Sequence, residues 1–281
     1  MKWNIVADSS IDLFALDCSN PDISFSTVPF TLTVGQNSFV DDESLDRDQL
    51  LKEMKACKTA STSACPSTGA WIEQFEKEGN VFAITITSGL SGSYNSACAA
   101  RNLLLERYPE KNIYVIDSLS VGAEMILTVR ELCRLIHEGF SFSQIVEEIQ
   151  QHMQRTHCVF ALSSFDNLVK NGRMNKLAGF VANRLGLCGI GIASAKGTIE
   201  IKGIARGRKK ALATVMEDLH HRGNSGISSV VICHCNNEPL SQDLKALVLQ
   251  EWPEAQISIF PNRGLCSYYA EEGGLIVGYY A

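Results

Sequence analysis

Short apolar runs alternate along this chain with longer stretches whose apolar positions recur at three- and four-residue spacing. Residues 3–7, 81–87 and 113–116 are runs of the first kind. Each breaks off into polar residues: Asp8-Ser9-Ser10, Ser88-Gly89-Leu90-Ser91 and Asp117-Ser118. Between them, residues 47–57, 68–77 and 96–108 carry helical periodicity. Strands alternating with helices predict a parallel sheet in an α/β domain. In open parallel sheets, ligands bind outside the carboxyl ends of the strands. All three polar turns stand at such ends, so they are expected to converge on one crevice.

The pattern continues with helices over 122–137 and 143–156 and then changes texture. Residues 158–162 read as a strand. Residues 163–169 read as a short helix with Ser163 as N-cap and Asp166 at the third helical position, and Gly172 fits just past its end. A second helix is predicted over 175–185, with Leu177, Phe180, Val181, Arg184 and Leu185 on one face and Gly186 ending it. Strands at 189–193 and 198–204 flank Lys196-Gly197, a hairpin-type turn. Helices at 209–220 and 240–251 then alternate with strands at 228–233 and 256–260. The apolar tail, 275–280, reads as a last strand or a buried helical segment. The change of texture places a domain boundary near Thr156, giving domains at 1–156 and 157–281.

Composition narrows the function. The chain has 281 residues, long enough to bury a core without staples. Its net charge of −6 disfavours broad binding to nucleic acid or anionic membranes. No apolar run approaches the roughly 20 residues of a membrane span, so stable membrane insertion is not expected. Asp8 interrupts the N-terminal apolar run before a signal-peptide core could form, and a cytoplasmic location is expected. The ten cysteines are scattered without a C-x-x-C pair and read as small buried hydrophobes. Cys233-His234-Cys235 is the densest cluster. On a strand its two cysteines share a face and the histidine points away. A second ligand pair for zinc is missing, so neither metal nor cofactor is expected.

Candidate chemistry concentrates at the turns. The turn Gly89-Leu90-Ser91-Gly92-Ser93 precedes a helix, where hydroxyls and backbone N–H groups can clamp a carboxylate or phosphate. A nucleophile elbow would need glycine at position 93, where serine stands, and a triad would need a well-placed histidine. Ser61-Thr62-Ser63-Ala64-Cys65-Pro66-Ser67 precedes the helix at 68–77. One serine there suffices as an N-cap, and the others are left to donate to an anion. Asp8 and Asp117 suit turn chemistry, or more weakly a metal. Arg173 follows Gly172, either as a solvated arginine or as one delivered to a phosphate or carboxylate. The run Arg206-Gly207-Arg208-Lys209-Lys210 opens a helix as a solvated face or a contact for an acidic partner.

These clusters, in this order, resemble the DegV family of fatty-acid-binding proteins. The pieces that carry the resemblance run the length of the chain. They are Ile5-Val-Ala-Asp-Ser-Ser-Ile-Asp-Leu13, Val28-Pro29-Phe30, Asp41-Asp42, Cys65-Pro66-Ser67 and Ser88-Gly-Leu-Ser-Gly-Ser-Tyr-Asn-Ser-Ala97. Further on come Ile116-Asp117-Ser118, Asn171-Gly172-Arg173-Met174 and Ala205-Arg-Gly-Arg-Lys-Lys-Ala211. The resemblance implies an α/β fold in two domains: an N-terminal three-layer α/β/α parallel sheet and a C-terminal two-layer domain with a mixed sheet. It implies a non-catalytic carrier that buries a long-chain fatty acid and presents it to a fatty acid kinase. The family's carboxylate-binding serine falls on Ser91. Its Thr-Ser-x-Pro-Ser threonine falls on Ser63, with Thr62 beside it. Its Gly-Gly-Arg arginine, implicated in acyl-phosphate transfer, falls on Arg173, with Asn171 in place of the first glycine. The family's His-x-Gly-Pro-Gly turn is matched to Pro261-Asn262-Arg263-Gly264, which makes Asn262 and Arg263 the implied substitutes for its histidine. The rival readings are a serine hydrolase using Ser91 and a regulatory lipid-sensing module.

Overall fold

The computed structural model describes residues 1–18, 20–57, 61–174, 186–223 and 226–281. Strand β1 (Trp3–Asp8) lies inside a four-stranded parallel sheet with β2 (Ile23–Val28), β6 (Asn80–Thr85) and β7 (Ile113–Asp117), in the order β2-β1-β6-β7. Every residue of β1 is buried. A strand covered on both faces has no polar side to present, which is why its sequence runs apolar without alternation. One face packs Val6, Val81, Ala83 and Val115 with Trp71 and Phe75 of α2 (Thr68–Phe75) and with Ala97, Ala100 and Leu104 of α3 (Ser93–Arg107). The other face places Ile5, Ala7, Phe82 and Ile84 in one core with α4 (Ala123–His137) and α5 (Phe142–Met153).

A second, mixed sheet follows in the order β10-β9-β8-β13-β11-β12. Its strands are β8 (Thr156–Leu162), β9 (Leu187–Ala193), β10 (Ile199–Arg206), β11 (Ser229–His234), β12 (Gln256–Pro261) and β13 (Leu275–Tyr280). All its pairings are antiparallel except β11 with β12. Helices α7 (Gly207–Arg222) and α8 (Glu238–Glu251) cover one face. The other face turns Cys158, Phe160, Leu162, Val231, Cys233 and Ile276 into the core that also contains α4. Helix α4 is therefore a layer shared by both sheets. Residues 123–129 are all buried, as a helix packed on two sides requires. A Cβ at Gly278 would lie 2.5 Å from the Glu124 backbone nitrogen, so glycine lets β13 and α4 touch.

A third sheet is small and antiparallel: β3 (Thr31–Val34) between β4 (Asn37–Val40) and β5 (Thr62–Ala64). It sits with α1 (Arg47–Ala56) and with α9 (Gly264–Ala270), which packs against α1 and contributes Leu265 and Tyr268 to the same core as Leu32 and Leu50.

The predicted strands and helices recur among the described residues with shifted ends. The helix expected over 163–169 starts later, as α6 (Asp166–Lys170). Ser163 is not its cap, because its hydroxyl donates to the Glu272 carbonyl at 2.6 Å. The helix expected over 175–185 lies outside the described residues. Among the described residues no helix is long and apolar enough to cross a membrane.

Candidate functional site

The polar ends of β1, β6 and β7 do meet, and two aspartates hold them together. Asp8 is fully buried at the end of β1. One of its oxygens accepts from the Ser10 amide and hydroxyl. The other accepts from the Ile86 amide at 2.9 Å and the Ser93 hydroxyl at 2.6 Å. Burial outweighs these bonds and pushes the carboxyl up to about 6. Asp117 accepts from the amides of Ser88 and Leu119 at 2.9 and 3.2 Å. Both aspartates thus brace residues 86–93. Among the described residues no group of acidic, histidine or cysteine side chains is arranged to hold a metal.

Within the braced turn, the Ser91 hydroxyl oxygen accepts from the Ser93 amide at 3.2 Å. Its own proton is left to donate. The hairpin between β9 and β10 closes over this turn: Thr87 donates to the Gly197 carbonyl at 2.8 Å.

The hydroxyl cluster at 61–67 divides its work. Ser67 caps α2, accepting from the Ala70 amide. Ser61 meets the Tyr268 hydroxyl at 2.7 Å, and Ser63 meets the Tyr269 hydroxyl at 2.7 Å. Pairing of Ser63 with Leu32 across the small sheet sets the register. Neighbouring strand residues face opposite ways, so Ser63 lines an interior cavity while Thr62 is exposed on the outer side. Thr62 is therefore not brought to the cavity.

Arg173 reaches the same place from α6. Gly172, at φ +73°, turns the chain. The guanidinium then donates to the carbonyls of Asn171 at 2.6 Å and Leu90 at 3.2 Å. Among the described residues neither bond goes to a carboxylate, so the charge of Arg173 is not neutralised by a partner acid.

Ser63, Ser91 and Arg173 border a cavity with a mostly apolar wall. The parallel-sheet side contributes Phe30, Ile86, Leu90 and Val121. The mixed-sheet side contributes Phe160, Leu162, Ile199 and Ile276, with Leu168 of α6 and Leu265, Cys266, Tyr269 and Ala270 of α9. Among the described residues, apart from the Cys266 thiol, the polar side chains on the wall are Ser63, Ser91, Arg173 and Tyr269. They form two pairs, Arg173 bonding the residue before Ser91 and Tyr269 bonding Ser63, and the Arg173 charge reaches the Tyr269 phenol. Such a cavity takes a long apolar molecule with one polar end.

Asn262 and Arg263 lie elsewhere, outside the lining of this cavity. They are 2% and 4% exposed. The Asn262 amide donates to Asp12 at 2.7 Å. Arg263 donates to the carbonyls of Leu13 and Asp41 at 2.6 and 2.9 Å, and its guanidinium lies 3.7 Å from the centre of the Phe14 ring. The Asn262 amide and the two terminal nitrogens of Arg263 are thus engaged by a buried acid and by carbonyls, and neither side chain lines the cavity. The following helix does line it. Tyr269, which the sequence reading missed, is the polar residue that this helix brings to the wall. The signal was available in Leu265 and Tyr269, four residues apart on one helical face. The basic run at 206–210 opens α7, where Arg208 pairs with Asp243 at 2.7 Å, and does not border the cavity.

The family model described as "Uncharacterised protein, DegV family" matches residues 2–281. The chain belongs to the DegV family. It is 45% identical over 279 residues to a DegV domain-containing protein of Streptococcus gordonii, covering 99% of each chain. Its fold matches the Streptococcus pneumoniae Fatty Acid Kinase (Fak) B3 protein loaded with linoleic acid, with a TM-score of 0.96 and 44% identity over 100% of this chain and 99% of that one. It also matches a DegV family protein from Eubacterium eligens loaded with heptadecanoic acid, with a TM-score of 0.94 and 37% identity over 99% of both chains. The two sheets seen here, one parallel and one mixed, are thus those of a two-domain DegV fold.

Proposed function

We propose that this DegV protein is a non-catalytic carrier for a long-chain fatty acid. The carboxylate sits at Ser91 and Ser63 beside Arg173, and the acyl chain fills the apolar part of the cavity. The observation that carries this reading is that, among the described residues, Ser63, Ser91, Arg173 and Tyr269 supply the strongly polar side chains of an otherwise apolar wall. Each buried methylene contributes about 0.8 kcal/mol, so the chain supplies most of the affinity and these polar side chains select the head group. The linoleic and heptadecanoic acids in the two related structures support the same ligand class. In this reading residues 1–156 supply the Ser63 and Ser91 turns, and residues 157–281 supply Arg173 and most of the wall around the chain.

The hydrolase alternative finds no support at Ser91. Its hydroxyl partner is a backbone amide, and no histidine is among the described residues lining the cavity. Arg173, unneutralised at the rim, is the candidate contact for a fatty acid kinase subunit and for the phosphate it transfers. The protein would work in the cytoplasm, a reducing compartment in keeping with cysteines that are free thiols, five of them buried.

Organic extraction of the purified protein followed by mass spectrometry tests the carrier reading. One or more long-chain acids are expected in near-stoichiometric amount. Absence of any acid, together with no uptake of added oleate, overturns it. With an added fatty acid kinase catalytic subunit and ATP, acyl phosphate is expected from the wild type. Arg173→Ala, loaded at saturating oleate, should lose the product.

A further inference from the structure

We propose that Tyr269 is a positioning residue for the head group: its phenol donates to Ser63 and commits the Ser63 proton to a carboxylate in the cavity. The inference rests on the fatty-acid reading above and extends it to a residue and a selectivity. The two hydroxyl oxygens are 2.7 Å apart and both residues line the cavity. One proton lies between them. A phenol is the stronger acid and an aliphatic hydroxyl the better acceptor, so the tyrosine donates. Burial raises the Tyr269 pKa, which keeps the phenol protonated. Accepting that bond turns Ser63 outward as a donor and strengthens it through cooperative polarisation.

The tyrosine is held from both ends of α9. At the start of the helix, Asp41 accepts from the amides of Gly264 and Leu265 at 2.8 and 2.9 Å, and Asp12 accepts from the Arg263 amide at 2.6 Å. At the far end, the Tyr268 ring meets the Tyr269 ring edge-on at 4.8 Å. The Tyr268 hydroxyl is fixed by Ser61 at 2.7 Å and by the Asn171 amide at 3.0 Å. Asn171 in turn accepts from Arg173. The adjacent tyrosines therefore tie the Ser63 strand to the Arg173 turn.

The consequence is a choice between head groups. A carboxylate only accepts hydrogen bonds, whereas an alcohol also has a proton to place. A Ser63 already accepting from Tyr269 favours the acceptor-only group.

Oleate and oleyl alcohol are titrated into delipidated wild type, Tyr269→Phe, Ser63→Ala, the double variant and Ser91→Ala. Tyr269→Phe keeps the ring, so the fold is preserved. It is expected to weaken oleate binding roughly three- to twentyfold and to leave oleyl alcohol within about twofold of wild type. In the Ser63→Ala background it should add nothing. Equal losses for acid and alcohol, or additive losses in the double variant, overturn the proposal. So does oleate binding by Tyr269→Phe that matches the wild type while Ser91→Ala is weakened. If the wild type fails to bind oleate, or Ser91→Ala binds it as wild type does, the underlying head-group reading falls as well.

Discussion

Asp8 lies beneath the Ser91 turn, and its titration can be isolated. Its carboxyl is raised from an ordinary 3.8 to about 6 by burial. That difference corresponds to about 3 kcal/mol between the protonated and ionised native states. Between pH 4 and 6 the native protein retains a proton that the unfolded chain has lost. The stability supplied by protonated Asp8 is therefore complete below about pH 4 and is lost as pH rises through 6. Other groups overlay this trend. Asp12, also raised to about 6, acts in the same direction. His152, His157 and His234, lowered by burial, act in the opposite one. Replacing Asp8 by asparagine removes one titration and leaves the rest. Urea unfolding of both proteins from pH 4 to 7 should show the difference, wild type minus Asp8→Asn, falling by about 2–3 kcal/mol with its steepest slope near pH 5. A difference that stays flat, or grows with rising pH, refutes the placement of Asp8 as a buried brace.

Three further outcomes are expected. Ser91→Ala removes a donor to a charged group and should weaken oleate binding roughly 10- to 100-fold in a fluorescence competition assay, with the melting temperature nearly unchanged; retention of wild-type affinity counts against the head-group assignment. Gly197→Ala places a Cβ 2.0 Å from the Thr87 hydroxyl at φ +68° and should destabilise the protein by about 2 kcal/mol or more in thermal unfolding; an unchanged melting temperature would mean the hairpin does not close on the turn. Ile276→Phe puts a larger side chain into the cavity and should block oleate uptake while shifting the melting temperature by only a few degrees, since empty space takes the added volume; normal uptake would place the acyl chain elsewhere.

Much of the fold can be read from sequence because the central strands of both large sheets are buried on both faces. Such strands are continuous apolar runs, as at β1 and β6, and their polar ends stand out. The small sheet escapes notice for the opposite reason. Its strands have three or four residues and the outer strand is mostly exposed, so neither length nor hydrophobicity marks them. Gly35, at φ +63° between β3 and β4, is the local clue. At the site, Ser91 and Arg173 come together as their turns suggest, because each follows a strand or helix whose end is clear, and Ser63 joins them from the hydroxyl-rich segment before α2. Thr62 points away through strand alternation, which only a known register reveals. Asn262 and Arg263 are turned into a buried network by Asp12 and Asp41, residues roughly 220–250 positions distant in sequence. No local pattern reports such pairing. Tyr269 was hidden by the same long range, since its partner Ser63 lies in a strand that the sequence pattern does not mark.

The most direct test is the crystal structure of the delipidated protein reloaded with oleate. The carboxylate is expected within hydrogen-bond distance of the Ser91 and Ser63 hydroxyls and near the Arg173 guanidinium. The acyl chain should run between Phe30, Ile86 and Val121 on one side and Phe160, Leu162 and Ile276 on the other. Oleate bound outside this cavity, or lying in it with its carboxylate away from Ser91, would contradict the fatty-acid reading of the site.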